Sequence, residues 1–142
     1  MDYDPSVWGP HYWFFMHTIA HIYPKTPNEV TKRKYYDFIQ NLPLFIPNND
    51  ISDYFIALLN GHPVTPYLDN RDSLIKWMYF IHNKVNVKLG KPEISVLDSL
   101  DAYYDAYKPK PIQLHDTFRI HKQIFVYCII ALLIFFIYLT YR

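Results

Sequence analysis

Apolar side chains recur at three- and four-residue intervals through most of the chain, and strict alternation of apolar and polar positions is almost absent. The clearest stripe is Leu74, Met78, Ile81 and Val85, an i, i+4, i+7, i+11 series that predicts a long core-facing helix. It starts between Asp69 and Asp72 and ends at Gly90. Four further helices are bounded by local punctuation. One runs from Trp13 to Tyr23 and is stopped by Pro24. Thr26-Pro27-Asn28-Glu29 reads as a capping box with proline at the first helical position, so a second helix runs from Pro27 to about Asn41, before Pro43. A third begins at Asn48 and closes near Asn60-Gly61, where glycine suits a left-handed cap. Ser95-x-x-Asp98 is a second capping box and opens a fifth helix reaching Tyr107. The fold class is all-α, without internal repeats.

The C-terminal part follows a different pattern. From Ile124 to Tyr141 roughly 18 residues carry no formal charge, and at about 1.5 Å per residue a helix there spans about 27 Å, close to a thin bilayer core. The competing reading is a buried core helix. A run apolar on every face, with Tyr127, Tyr138 and Tyr141 near its ends, fits a membrane span better. The expected organisation is a helical domain over 1–107, a linker over 108–123 introduced by Lys108-Pro109-Lys110-Pro111, and a transmembrane anchor over 124–141. Arg119 and Lys122 precede the span and Arg142 follows it, which places the N-terminal domain on the cytosolic side. Met1 to Pro10 is acidic and turn-rich, unlike a signal peptide.

Composition narrows the function. The formal net charge is +1, which gives no reason to expect a nucleic-acid partner. Aromatic residues make up 19% of a chain with 3 glycines, enough rings to pack helices or to wall a flat ligand. There is 1 cysteine, Cys128, so no disulfide can form within one molecule. A chain without structural disulfides also fits a cytosolic domain.

The candidate chemistry lies on the first and fourth helices. Trp13 and His17 share a helical face, as do His82 and Asn86, with Asn83 one step around. Rings supply flat surfaces for a planar ligand, and His and Asn supply donors and acceptors for its polar edges. Each residue taken singly is as well explained as a satisfied core side chain. Together, Trp8-Gly9-Pro10-x-x-Trp13-x-x-x-His17 and His82-Asn83-x-Val85-Asn86-x-x-Leu89-x-Lys91-Pro92 resemble the Erv/ALR family of flavin-dependent sulfhydryl oxidases over about Asp4 to Tyr107. The resemblance implies a four-helix bundle plus a short fifth helix, with FAD held in the mouth of the bundle. It implies flavin contacts from Gly9, Trp13, His17 and Tyr23 on the first helix, and from His82, Asn83, Asn86 and Lys91 on the fourth helix and the turn after it. Lys88 is a weaker match. It also implies a homodimer through the first two helices, and Pro10 in place of the commoner arginine resembles the branch carried by large cytoplasmic DNA viruses.

One departure from the family pattern bears on activity. Its Cys-x-x-Cys follows the proline of the segment that reads Leu42-Pro43-Leu44-Phe45-Ile46-Pro47 here, and those two positions hold Asn48 and Ile51. A cysteine at a helix N-terminus is favoured as thiolate by the helix dipole, whereas asparagine is among the best N-caps. The substitution keeps the helix start and removes the nucleophile. Val96 occupies the position of another family cysteine. His17-x-x-x-His21 has the spacing of a helical metal pair but no third ligand at a characteristic interval, so no metal is expected. Asp98, Asp101 and Asp105 read as the solvated face of the fifth helix. Two functions remain open: a degenerate FAD-linked thiol oxidase acting as a membrane-tethered structural or interaction module, as in a viral particle and its membrane, or an active sulfhydryl oxidase using thiols supplied by another chain.

Overall fold

The computed structural model describes residues 3–108 and 114–141, and it contains helices joined by turns, with no strand among the described residues. The helical domain comprises α1 (Pro5–His21), α2 (Glu29–Asn41), α3 (Asn49–Gly61), α4 (Arg71–Lys88) and the shorter α5 (Val96–Asp105). Short 3₁₀ turns at Leu42–Phe45 and Thr65–Tyr67 link α2 to α3 and α3 to α4. Helices α1 to α4 form the bundle, with α4 packed against α1, α3 and α5. Residues 1–107 form one compact unit and residues 108–142 another.

Most helix starts carry the expected chemistry. Asn48 caps α3 by accepting a hydrogen bond from the Ile51 N–H at 3.0 Å, and Asn70 does the same for Ser73 at the head of α4 at 2.9 Å. At α5, Ser95 accepts from the Asp98 N–H at 3.1 Å while its hydroxyl meets the Asp98 carboxylate at 2.7 Å. Three boundaries differ from the expectation. α1 begins at Pro5 rather than Trp13, because the Asp4 carboxylate caps the Ser6 N–H at 2.8 Å and Pro5 is preset for the first turn; Pro10 then sits inside the helix. α2 begins at Glu29 because Asn28, a better cap than Thr26, accepts from the Thr31 N–H at 2.8 Å and leaves Pro27 outside. Gly61 stays helical, since His62 donates its N–H to the Leu58 carbonyl at 2.7 Å and closes α3 without a left-handed residue.

The left-handed cap is used instead at the end of α4. Gly90 has φ +70°, the Lys91 N–H reaches back to the Asn86 carbonyl at 2.8 Å, and the Gly90 N–H reaches Val87 at 3.0 Å. This is a Schellman closure, and it sets where Lys91 leaves the helix. The core is built on the predicted stripe: Leu74, Met78, Ile81 and Val85 are all buried, against Met16 and Ala20 of α1, Ile39 of α2, and Ile51, Phe55, Leu58 and Leu59 of α3. Tyr12 ties α1 to the first 3₁₀ turn by donating to the Phe45 carbonyl at 2.9 Å.

The second unit contains α6 (Leu114–Tyr141), which starts ten residues earlier than the expected span at Ile124. Nothing between Leu114 and Gln123 is Gly or Pro, so a helix nucleated in the apolar run extends back through that stretch at little cost. The helical stretch His121–Tyr141 is long enough to cross a membrane, an 18-residue part of it has a mean hydropathy of 2.6, and its side chains are exposed. The expected Pro109-Lys110-Pro111 break and Arg142 lie outside the described residues.

The first helix ends at His21 rather than at the expected Tyr23; Tyr23, just beyond its C-cap Ile22, is 0% exposed and donates its hydroxyl to the Leu68 carbonyl at 2.8 Å. Replacing Tyr23 by Phe should leave that carbonyl unpaired and cost about 1–3 kcal/mol of unfolding free energy, read from urea denaturation.

Candidate functional site: a ring-walled pocket between α1 and α4

A cavity of about 540 Å³ opens at one end of the α1–α4 pair, within the ~300–1,000 Å³ range of cofactor and small-molecule sites. Its walls come from α1 (Gly9, Trp13, His17), α3 (Ile51, Phe55), α4 (Tyr79, His82, Asn86), the turn after α4 (Lys91, Pro92, Ile94) and α5 (Ser99, Ala102, Tyr103). Six of the eight residues expected to contact a ligand therefore meet in one place: Gly9, Trp13, His17, His82, Asn86 and Lys91. Tyr23 and Asn83 do not line it.

The rings are ordered along the α1–α4 seam. Trp13 stacks on His82 at 4.0 Å and 12°, His17 stacks on Tyr79 at 4.2 Å and 25°, and the two histidines join through Nε2 of His17 and Nδ1 of His82, 3.0 Å apart. One imidazole donates its N–H and the other accepts, so this contact requires at least one neutral ring. Burial pushes His17 down to about 3, with the nearby His82 and His21 adding to the shift. Burial, with the Lys91 charge second, pushes His82 down to about 4. Both rings are therefore neutral at physiological pH. His17 Nδ1 and the Tyr79 hydroxyl are buried without a protein partner.

Gly9 supplies space. It is buried in α1 and lines the cavity, yet a methyl group built on it would meet no atom within 4 Å. Backbone is thus open to close approach by a flat ligand. Asn83 acts on the wall indirectly: its side-chain Nδ2 donates to the Ile94 carbonyl at 2.8 Å and its Oδ1 accepts from the Ile94 N–H at 3.1 Å, which fastens the segment carrying Lys91 and Pro92 to α4. His21, the other half of the candidate metal pair, stacks on Tyr103 at 4.5 Å while His17 is engaged with His82. Among the described residues no group of three or more His, Cys, Asp or Glu is gathered as for a metal ion.

Several wall residues were not among the expected ligand contacts, Trp8, Tyr12, Tyr79 and Tyr103 among them. Trp8 was read as part of the Trp8-Gly9-Pro10 motif but not as a ligand contact, and Tyr12 lay beside the turn-rich N-terminal stretch. Tyr79 lay off the core stripe, but a signal was present: Tyr79, His82 and Asn86 are spaced i, i+3, i+7 and so share a helical face.

Residues 10–109 match the family model described as Erv1 / Alr family. The chain belongs to the Erv1/Alr family. A relative from Acanthamoeba polyphaga mimivirus, described as a probable FAD-linked sulfhydryl oxidase, is 32% identical over 118 residues, covering 82% of each chain. The FAD-linked sulfhydryl oxidase of African swine fever virus is 30% identical over 88 residues, 62% of this chain and 72% of the viral protein. Among solved structures, the FAD binding domain of Erv1 from Saccharomyces cerevisiae superposes with a TM-score of 0.65 at 27% identity, over 72% of this chain and 96% of that one. The yeast Erv1 core gives 0.63 at 26% identity, over 76% and 86%.

Two outcomes follow from the geometry. The unfolded chain takes up protons on His17 and His82 near pH 6.5, whereas the folded pair resists to about 3 and about 4, so stability should fall as pH drops from 6.5 towards 4. The slope is up to about 1.4 kcal/mol per pH unit for each ring. Replacing His82 by Gln should flatten that slope in urea titrations run across the window. Separately, replacing Gly9 by Ala should raise the ligand-free protein's stability by about 0.5–1 kcal/mol through helix propensity, while weakening the binding of any ligand that lies against that backbone.

Proposed function

We propose that this chain is a membrane-anchored, flavin-binding member of the Erv1/Alr family that has lost its own thiol-oxidising pair and serves as a structural or interaction module. The observation that carries the reading is at the head of α3. Asn48 is spent on the helix cap and Ile51 is a buried wall residue of the pocket, at the two positions where the family resemblance expects cysteines. The sequence holds 1 cysteine, Cys128, which lies in α6 within the other unit. An amide and a branched alkane cannot pass electrons between a substrate dithiol and a flavin.

The residues present fit FAD. The ring column and the gap at Gly9 suit a flat heteroaromatic system, and Lys91, the cation of the wall among the described residues, suits a diphosphate. When bound, the flavin would supply a two-electron acceptor; Trp13, His17, His82, Asn86 and Lys91 would hold and orient it. Asn83 would support the Lys91 segment and Tyr23 the core behind it. The retained pocket favours a second reading, in which the protein is a working sulfhydryl oxidase and a dithiol from another chain reduces the flavin. In both readings His121–Tyr141 is the anchor, with the domain on the cytosolic side or at a virion membrane. The exposed apolar residues Val7, Phe15 and Ile22 along α1 support a homodimer through the first two helices.

Oxygen consumption with dithiothreitol separates the two readings. The degenerate-enzyme reading expects a rate no higher than that of free FAD, and turnover well above it would overturn that reading. The Asn48→Cys/Ile51→Cys variant should lose about 1 kcal/mol of capping and gain oxidase activity if flavin is bound, since the two thiols would lie one helical turn apart at a helix N-terminus.

A further inference from the structure

The outward face of α4 carries charge that the protein leaves unmatched. Lys76, Phe80, Lys84 and Lys88 follow one another at four-residue steps, with Val87 beside them, on the side of the helix away from the buried Leu74, Met78, Ile81 and Val85. The helix has one carboxylate, Asp72, in its first turn. Among the described residues the ion pairs involve Lys32 and Arg33 of α2, and none reaches Lys76, Lys84 or Lys88. Lys84 and Lys88 instead lie over aromatic rings, with Nζ 5.3 Å from the Phe80 centroid and 5.6 Å from the Tyr54 centroid. Their stems thereby cover apolar surface while the ammonium groups stay at its boundary with solvent. Phe80 is 39% and Val87 52% exposed. Cations interleaved with exposed apolar side chains are the composition of a helix that lies at a lipid headgroup layer.

We propose that this face of α4 docks on the surface of the membrane that holds the chain's own C-terminal span, with Lys76, Lys84 and Lys88 on anionic phospholipid headgroups and Phe80 and Val87 against the acyl boundary. This rests on the anchor reading of His121–Tyr141 and assigns the helical domain the side it presents to that membrane. Tether and charge together select the occupant. Residues 108–120 separate the domain from the span, and fully extended they reach no more than about 50 Å, so a bilayer surface is always close to the domain. On the cytosolic side, where the basic residues before the span put the domain in the anchor reading, the leaflet is anionic and attracts basic faces held near it. α5, packed beside α4, carries Asp98, Asp101 and Asp105, which the same surface repels, so the attraction has a direction.

Acetylation of lysines by a water-soluble reagent, read residue by residue by mass spectrometry, tests this on the full-length chain reconstituted in vesicles. With about a third of the lipid as phosphatidylserine, Lys76, Lys84 and Lys88 should react about 3- to 10-fold more slowly than in phosphatidylcholine alone. The difference should vanish at about 1 M salt, and Lys25 and Lys34, beside and on α2, should react equally in both lipids. In the Lys84→Glu/Lys88→Glu variant, Lys76 should keep its phosphatidylcholine rate in both. Equal rates for the wild type in the two lipids would overturn the docking while leaving the anchor reading intact. Slowing shared by Lys25 and Lys34 would overturn the assignment to α4. Protection that rises with protein density in phosphatidylcholine alone would give the face to a second copy of the chain and overturn the lipid assignment. A chain that does not float with phosphatidylcholine vesicles would overturn the anchor reading itself, and the docking with it.

Discussion

The hydrogen bond between His17 and His82 is the contact on which the pocket depends. It crosses from α1 to α4 at 3.0 Å between two half- to fully buried imidazoles. With one N–H and one lone pair at the contact it requires at least one neutral ring, and burial keeps both neutral over the physiological range. The flat stacks extend from it in both directions, Trp13 on His82 and Tyr79 on His17. Four rings that line the cavity are thereby linked across the α1–α4 seam, at little further entropic cost, since each is already immobilised by packing.

At the head of α3 the demands of the fold and those of thiol chemistry are separate. A helix start needs one acceptor for its first free amides, and Asn48 provides it through the Ile51 N–H. On the reading proposed above, thiol oxidation would need sulfur at the same two positions. The physical demands are independent, so the second can lapse while the first is fully met, and Ile51 then fills with hydrocarbon a place in the wall beside Phe55. A bundle of family shape is therefore evidence for a binding cavity rather than for turnover.

Supporting contacts fasten the wall of the pocket to residues that do not line it, Asn83, Thr18 and His21 among them. Asn83 spends both ends of its amide on Ile94, which fastens the segment after the Gly90 turn, and that turn sets the exit of Lys91. Tyr103 donates to Thr18 at 3.1 Å and stacks on His21, holding α5 against α1 where Ser99 and Ala102 complete the wall. The cavity is thus defined by polar fastenings at its rim and by apolar packing beneath.

Much of this was legible in the sequence because helix limits and faces are local properties. Asn48 and Ser95 announce helix starts, Gly90 a stop, and the Leu74–Val85 stripe a buried face, each through interactions reaching no more than a turn along the chain. The same locality puts Trp13 and His17 on one face and His82 and Asn86 on another. Competing local signals were harder: Asp4-Pro5 outweighed the turn-like Gly9-Pro10, and Asn28 outweighed Thr26, by margins of about a kcal/mol that motif reading does not resolve. What tertiary structure alone decided was which faces meet. Whether His17 pairs with His82 or with His21, whether Asn83 faces the cavity or clasps Ile94, and whether Tyr79 is core or wall all depend on how α4 is rotated against α1 and α5. That rotation is set by the summed packing of residues far apart in the chain, and no single stretch of sequence contains it.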